Sequence, residues 1–493
     1  MTEHKTVLIL SRGVRLAPIY RETALDLARD HRVVVLMESA EERDIWANAP
    51  GIICIDFVTE VSRELQAHKG RLAERSREIE RDIGLPLYKS ASSYLLYRRF
   101  AIDYFGAYDH DYSEQRILED YVGAYGVMSR LIGEYRPSLI VHEALDRILT
   151  LVTLALAYHR RIFNIGMVFA SGVKSGSIYF YYGLERENFL STYLLRKPEL
   201  IREESRREAR AMISHARRVG LPVFSHVEAR RARLGQSPLQ HPWRLIRRLV
   251  ETRLWRNPGL AVQRWLNWRW LQRNQRRDIP EGPFILFLMH FQPEASTTSQ
   301  SPRWVDQDRL IEQMAINAPQ GIKIVVKENP LCYGWRGERY FGPLAKFTNI
   351  HLSHPLVDTQ ELLRRATALV TITGSSGFEA ILLGTRVAVL GRPTYSVFHG
   401  VRKLDWPEQI FAALADPAWR PEDYEAELET FVAAFIQSVH ALGDVEPGKK
   451  WPPPKTAGPN FAAALRHTLA FIEENGLTPQ DFDPGLPFLT SGT

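Results

Sequence analysis

The chain has 493 residues, of which 45% are hydrophobic and 24% charged; this suits two α/β domains and excludes a single small core or a largely disordered chain. Two cysteines, Cys54 and Cys332, exclude a disulfide framework and fit a reducing compartment, and neither has a Cys or His neighbour at metal-ligand spacing. The net charge of +6 is uneven: Glu228 to Asp278 holds thirteen arginines against three acids, which points to a local anionic partner rather than to a generally basic protein.

In chain order, Thr6 to Leu10 reads as a buried strand that ends at Ser11-Arg12-Gly13. Its apolar run, Val7 to Leu10, is too short for a secretory core, and no stretch approaches the roughly 18 apolar residues of a membrane span. The reading is a cytoplasmic protein, either free in the cytosol or peripheral on the inner face of the plasma membrane. A helix over Tyr20 to Arg29 follows, then strands over Arg32 to Met37 and Ile52 to Phe57, the opening rhythm of a parallel sheet. Glu60 to Asp82 is one charged helical stretch that stops at Gly84-Leu85-Pro86. A helix over Glu119 to Tyr135, a strand over Ser138 to His142, a helix over Asp146 to His159 and a strand over Arg161 to Met167 complete a domain that spans 1–227.

Residues 228–280 break the rhythm. Trp243, Trp255, Trp265, Trp268 and Trp270 lie among the arginines, and Pro238, Pro242 and Pro258 divide the segment into short amphipathic helices. Tryptophans at an interface with arginines on headgroups suit an anionic membrane surface over 230–277, and no nucleic-acid motif accompanies the patch. The alternative is an internal helical bridge. A second α/β domain, 281–420, has strands over Phe284 to Met289, Ile322 to Lys327, Ile350 to Leu352, Ala368 to Thr373 and Arg386 to Leu390, with helices over Trp304 to Asn317, Thr359 to Ala366 and Phe378 to Leu383. Residues 421–493 read as helices with Pro452-Pro453-Pro454 and a loose tail.

Candidate chemistry lies where these strands end, because ligands of open α/β sheets bind beyond the carboxyl ends of the strands. Gly374-Ser375-Ser376-Gly377 sits between a strand and a helix. Unpaired N–H groups at a helix start attract anions, glycines allow close approach, and two hydroxyls add donors. Glu379, one turn on, is placed to accept hydrogen bonds from ribose hydroxyls. The alternative is a plain turn with Ser as N-cap and Glu as capping-box partner. Lys327, in Lys327-Glu328-Asn329-Pro330, is a candidate to neutralise a phosphate; the competing reading is a solvated lysine. His290, Gln292 and Glu294 follow the first strand of the second domain. The first two are candidates to orient a sugar, and Glu294 to serve as base, nucleophile or charge stabiliser. In the first domain, Glu143 is a candidate base for an acceptor hydroxyl with Asp146 beside it, unless both simply cap the next helix. Arg12 is a candidate lip of the same site, and Lys174 a further one; the Lys174 loop lacks P-loop spacing.

Three motifs in order, FQPEAST, VKENP and TITGSSGFEAILLGTRVAVLG, resemble those of bacterial capsule and surface-polysaccharide biosynthesis proteins. These include the Kdo transferases of capsule export systems. The resemblance is clearest over 283–400. It implies a GT-B-like fold, two Rossmann-like domains facing a central cleft, here with a helical Arg/Trp-rich inter-domain segment. It also implies transfer of a sugar from a nucleotide donor, often a CMP-linked acidic sugar such as Kdo, to a lipid-linked or glycan acceptor. By position, Ser375 and Ser376 resemble the phosphate-binding serine pair, Glu379 the ribose contact, and Lys327 the basic residue of a Lys-x-His-Pro motif. The chain departs from that motif, because Asn329-Pro330 stands where the family has His-Pro. Asn329 can donate a hydrogen bond to a phosphate but carries no charge or proton. A literal His354-Pro355 follows a different strand. Competing functions on the same architecture are a sugar-nucleotide epimerase, a glycerophosphotransferase and a non-catalytic assembly component.

No cofactor or metal is expected, since one departing phosphate can be balanced by side chains and a helix terminus. Sugar transfer should therefore proceed undiminished in EDTA; a strict requirement for magnesium or manganese in that assay would contradict the reading.

Overall fold

The computed structural model describes residues 5–100, 113–170, 173, 176–183, 188–221, 258–420, 422–445 and 451–482. Residues 228–257 of the Arg/Trp-rich segment, Lys174 and the tail beyond 482 lie outside the described residues. The chain divides into two compact units, one of 1–95, 111–196 and 435–493, the other of 96–110 and 197–434. Both are mixed α/β units built on a largely or wholly parallel sheet, the fold class expected from the strand–helix alternation.

In the first unit, β1 (Thr6–Ser11), β2 (Arg32–Met37), β3 (Ile52–Asp56), β4 (Leu139–His142) and β5 (Phe163–Phe169) run parallel. Every residue of β1 is buried, as a strand covered on both faces requires. The predicted charged stretch is two helices, Phe57–Ala67 and Leu72–Ile83, separated at Gly70, whose φ of 80° is left-handed. An element absent from the sequence reading is β6 (Ser177–Tyr182), antiparallel to β5.

The second unit carries β7 (Phe284–Leu288), β8 (Lys323–Lys327), β9 (Ile350–Ser353), β10 (Ala368–Thr371), β11 (Val387–Val389) and β12 (Val401–Lys403). Their order is β12-β11-β10-β7-β8-β9, and all pairs are parallel. All six carboxyl ends therefore share one edge. The helix Pro258–Asn274, the described part of the Arg/Trp-rich segment, is integral to this unit: Leu271 is buried in its core, with Trp268 and Trp270 packed against it.

The units do not coincide with the boundaries drawn at 227 and 420. The helix Glu203–Arg218 joins the second unit because it packs on the helix Ser376–Leu383, and Arg364 donates to the carbonyls of Ala216 and Arg217 at 2.8 and 2.7 Å. The C-terminal residues return to the first unit. There β13 (His440–Ala441) pairs antiparallel with β6, giving the order β13-β6-β5-β4-β1-β2-β3. The helix Pro454–Glu474 packs on the helix Gly13–Leu27.

Gly458 permits that last contact. A Cβ there would lie 2.9 Å from the backbone nitrogen of Thr23 and would collide with the Glu22 side chain. Since the obstacle includes backbone, the helices must separate to admit a methyl group. Gly458→Ala should lower unfolding free energy by about 1–3 kcal/mol in urea denaturation, and an unchanged midpoint would remove the close approach from the account.

Candidate functional site

In the second unit the loop after β7 and the turn after β10 are joined by one ring. His290 Nε2 accepts from the Thr373 N–H at 3.3 Å and lies 3.2 Å from Thr371 Oγ1. The Thr371 hydroxyl accepts from the Gly374 N–H at 3.2 Å, so its own proton points to His290. This network assigns Nε2 as the unprotonated nitrogen. His290 is thus a strut for the turn, rather than the substrate-positioning group the sequence suggested. Its own N–H donates to Gln307 at 2.7 Å.

The strut shapes Gly374–Gly377. The Tyr395 hydroxyl donates to the Gly374 carbonyl at 2.5 Å and fills the space where a Cβ of Gly377 would stand. A Cβ at Gly374 would come within 2.8 Å of Thr371 Oγ1. Both glycines are therefore steric necessities. The helix Ser376–Leu383 starts directly, with Ser375 as N-cap but without a side-chain capping bond, so the capping alternative is not what forms. Ser375 is exposed and Ser376 half-buried. Among the described residues, neither serine hydroxyl nor either serine N–H has a hydrogen-bond partner. Among the described residues, Thr373 Oγ1, beside the turn, and both amide atoms of Gln300 are buried without hydrogen-bond partners. Glu379, half-buried one turn on, has no hydrogen-bond or ion-pair partner among the described residues, and burial pushes its carboxyl up to about 7.

The other predicted residues of this unit sit differently. Lys327 is buried, and its ammonium donates to the Val357 carbonyl at 2.6 Å and to Thr359 Oγ1 at 2.5 Å. It is neither solvated nor turned to the Gly374 turn; it pins the segment after β9. Asn329 caps its own turn, its side chain accepting from the Leu331 N–H at 2.9 Å. Gln292 is buried, donating to the Val305 carbonyl at 2.7 Å and accepting from Arg336 Nη2 at 3.3 Å. Glu294 is exposed at the start of the short helix Ala295–Thr298 and accepts from Ser296 Oγ at 2.9 Å. His354 is buried, and burial, with help from Arg277 and Lys327, pulls its ring down to about 4. It accepts from the Leu356 N–H at 3.2 Å.

Sequence reasoning missed Arg336. It is buried with Glu328, 3.5 Å from its carboxylate, and donates to the His290 carbonyl at 3.1 Å. It therefore holds both the strut and Gln292. Burial pushes the Glu328 carboxyl up, and the Arg336 guanidinium opposes that rise.

The first unit gathers a second polar cluster at the ends of β4, β1 and β2, which are adjacent. Arg12 donates to Asp146 at 2.5 Å and lies 3.4 Å from Glu143. Neither carboxylate caps the following helix, whose N-cap is Arg147. Arg147 pairs with Glu38. Burial pushes the Glu38 carboxyl up to about 7 against the pull of Arg147 and Arg12. Glu42 is fully buried and accepts from Ser11 Oγ, from the Gly13 N–H at 2.9 Å and from the Ser39 N–H at 3.1 Å. Tyr20, whose phenol is buried without a partner, adjoins the cluster. Glu38 carried the same sequence signal as Glu143, a carboxylate directly after a buried strand, and was passed over.

Residues 256–435 match the family described as capsule polysaccharide biosynthesis protein. Protein FixF of Sinorhizobium fredii (strain NBRC 101917 / NGR234) is 30% identical over 151 residues, 30% of this chain; the match covers 35% of FixF, so the chain spans about a third of that relative. Similar solved structures include the β-Kdo 2,4-transferase of Thermosulfurimonas dismutans KpsC, with 14% identity, 66% of this chain, 87% of that chain and a TM-score of 0.37. The β-Kdo 2,7-transferase of the same protein has 11% identity, 74% and 95% coverage and a TM-score of 0.34. UDP-GlcNAc 2-epimerase of Methanocaldococcus jannaschii has 12% identity, 94% and 99% coverage and a TM-score of 0.26.

Glu38 and Glu379 set a pH dependence. Each has a folded pKa of about 7 against an ordinary 4.5, so the folded state holds more protons between those values. Their stabilising contribution is full below about 4.5 and is lost as pH rises to about 7. Glu38→Gln and Glu379→Gln should each flatten the decline of melting temperature between those pH values; a slope equal to wild type in both would contradict the assigned burial.

Proposed function

We propose, from the match of residues 256–435 to the capsule polysaccharide biosynthesis family, that this chain is a glycosyltransferase that uses a nucleotide sugar to build a surface polysaccharide. The observation that carries the reading is the uncommitted turn. Ser375 and Ser376 present two N–H groups and two hydroxyls without partners among the described residues, at the start of a helix, where the backbone favours negative charge. A donor phosphate satisfies all four. The Glu379 carboxylate, also without a partner, takes the ribose hydroxyls.

The charge balance favours one phosphate over two. Lys327 is committed to protein oxygens, so neutral donors and the helix start carry the anion. A CMP-linked acidic sugar, Kdo among the candidates, has that single phosphate. In the transfer, the acceptor hydroxyl oxygen bonds to the anomeric carbon. The bond from that carbon to the phosphate oxygen breaks, and CMP leaves with the electron pair. The turn stabilises the charge it gains. The acceptor proton passes to a carboxylate, for which Glu294, in the same unit as the turn, is the candidate. Asp146 is bound more closely to Arg12 than Glu143 is, which makes it a positioning group for Arg12. The acceptor is lipid-linked or a glycan, and a nucleotide-sugar donor suits a cytoplasmic enzyme.

A thermal-shift series with CMP, UDP, GDP and CDP tests the turn directly: CMP should give the largest rise in melting temperature. Ser375→Ala/Ser376→Ala should weaken CMP binding about tenfold or more, since a hydrogen bond to a charged group contributes about 1.5–3 kcal/mol. Incubation with CMP-Kdo should release CMP only when a glycan acceptor is present. No shift with any nucleotide, or an altered sugar nucleotide formed without acceptor, would refute the transferase reading.

A further inference from the structure

The helix Pro258–Asn274 has two unlike sides. Inward, Leu271 is buried in the core of the second unit, and Asn267 Nδ2 donates to the Trp335 carbonyl at 2.8 Å. Outward, Val262, Trp265 and Leu266 are 55%, 51% and 53% exposed. Spaced at i, i+3 and i+4, they form one apolar strip. Arg269 continues the strip and lies 4.7 Å over the Trp265 ring. Arg273 is exposed one turn on, and Arg276 and Arg277 just beyond the helix. No acidic residue occurs between Pro258 and Arg277.

Each feature restricts the partner. An exposed Trp–Leu–Val strip beside arginines sets apolar and cationic groups side by side on the outer face. That suits a boundary where water, negative charge and hydrocarbon meet within one side-chain length. A nucleic acid offers the negative charge, but it engages a basic groove with stacking aromatics and leaves valine and leucine without partners. An anionic bilayer surface satisfies all of them: headgroup phosphates take the arginines, and the acyl boundary takes the strip.

We infer that the outer face of this helix docks flat on an anionic phospholipid surface, with Val262, Trp265 and Leu266 at the headgroup boundary and Arg269 and Arg273 on lipid phosphates. The inference is independent of the transferase reading, since it uses none of the residues of the turn.

The test is co-sedimentation of the full chain with vesicles of phosphatidylcholine alone or with about 30% phosphatidylglycerol. Binding should appear with the anionic vesicles only and fall as salt rises from about 0.1 to 1 M. Trp265→Ser/Leu266→Ser should reduce the bound fraction about fivefold or more at either salt. Arg269→Glu/Arg273→Glu should abolish the preference for anionic lipid. All four side chains are exposed, so melting temperatures should match wild type. If the first variant unfolds, the second alone decides. Equal recovery with both vesicle types, no binding at all, binding to RNA but not to vesicles, or folded variants that sediment like wild type would each overturn the inference.

Discussion

An unprotonated ring nitrogen is the constraint on which the second unit's site depends. His290 Nε2 accepts hydrogen bonds from the Thr373 N–H and the Thr371 hydroxyl, so it settles where two backbone donors of the turn go, directly for Thr373 and through Thr371 for Gly374. Buried backbone groups must be paired, and this arrangement pairs those at 373 and 374 from beneath. The N–H groups at 375 and 376 are left for whatever occupies the outer side. Tyr395 closes the remaining freedom by holding the Gly374 carbonyl.

That strut needs support of its own, and it comes from a costly arrangement. Arg336 and Glu328 are both buried, and two ions withdrawn from water gain stability only when their remaining hydrogen-bond capacity is met. Arg336 spends its second nitrogen on the His290 carbonyl and the Gln292 side chain, while Glu328 accepts from the Asn329 N–H at 2.8 Å. One Glu328 oxygen is buried without a partner. An apolar pair would pack here at less cost; what it would not do is fix the loop after β7 in register with the turn after β10.

The sequence made most strands of both sheets legible, because β1, β2, β7 and β10 are short, almost wholly apolar runs bounded by polar turns; β6, β12 and β13 were not read. It also marked the Gly374 turn, whose chemistry is local. It misplaced what depends on distant partners. Lys327 looks like a strand-end cation until the segment after β9 folds over it, thirty residues later. The helix Glu203–Arg218 carries no local sign that it packs on Ser376–Leu383, and nothing in Pro454–Glu474 announces the helix Gly13–Leu27. β6 was hidden by its approach, a Gly-Ser-rich run that reads as a loop and draws attention from the aromatic strand behind it. The single charged stretch over 60–82 was split by Gly70, a left-handed position that any glycine is free to adopt but need not.

The cluster at the ends of β4, β1 and β2 shows how one arginine limits what its neighbours can do. Arg12 is shared by Glu143 and Asp146, so a guanidinium that stays charged at all accessible pH is held between two carboxylates. Glu38 lies deeper, and burial outweighs its pairing with Arg147. Glu38 is also the least exposed of the three carboxylates. Arg147 joins that carboxylate to the start of the helix Ile148–His159, so one ion pair ties the end of β2 to the entry to the helix after β4.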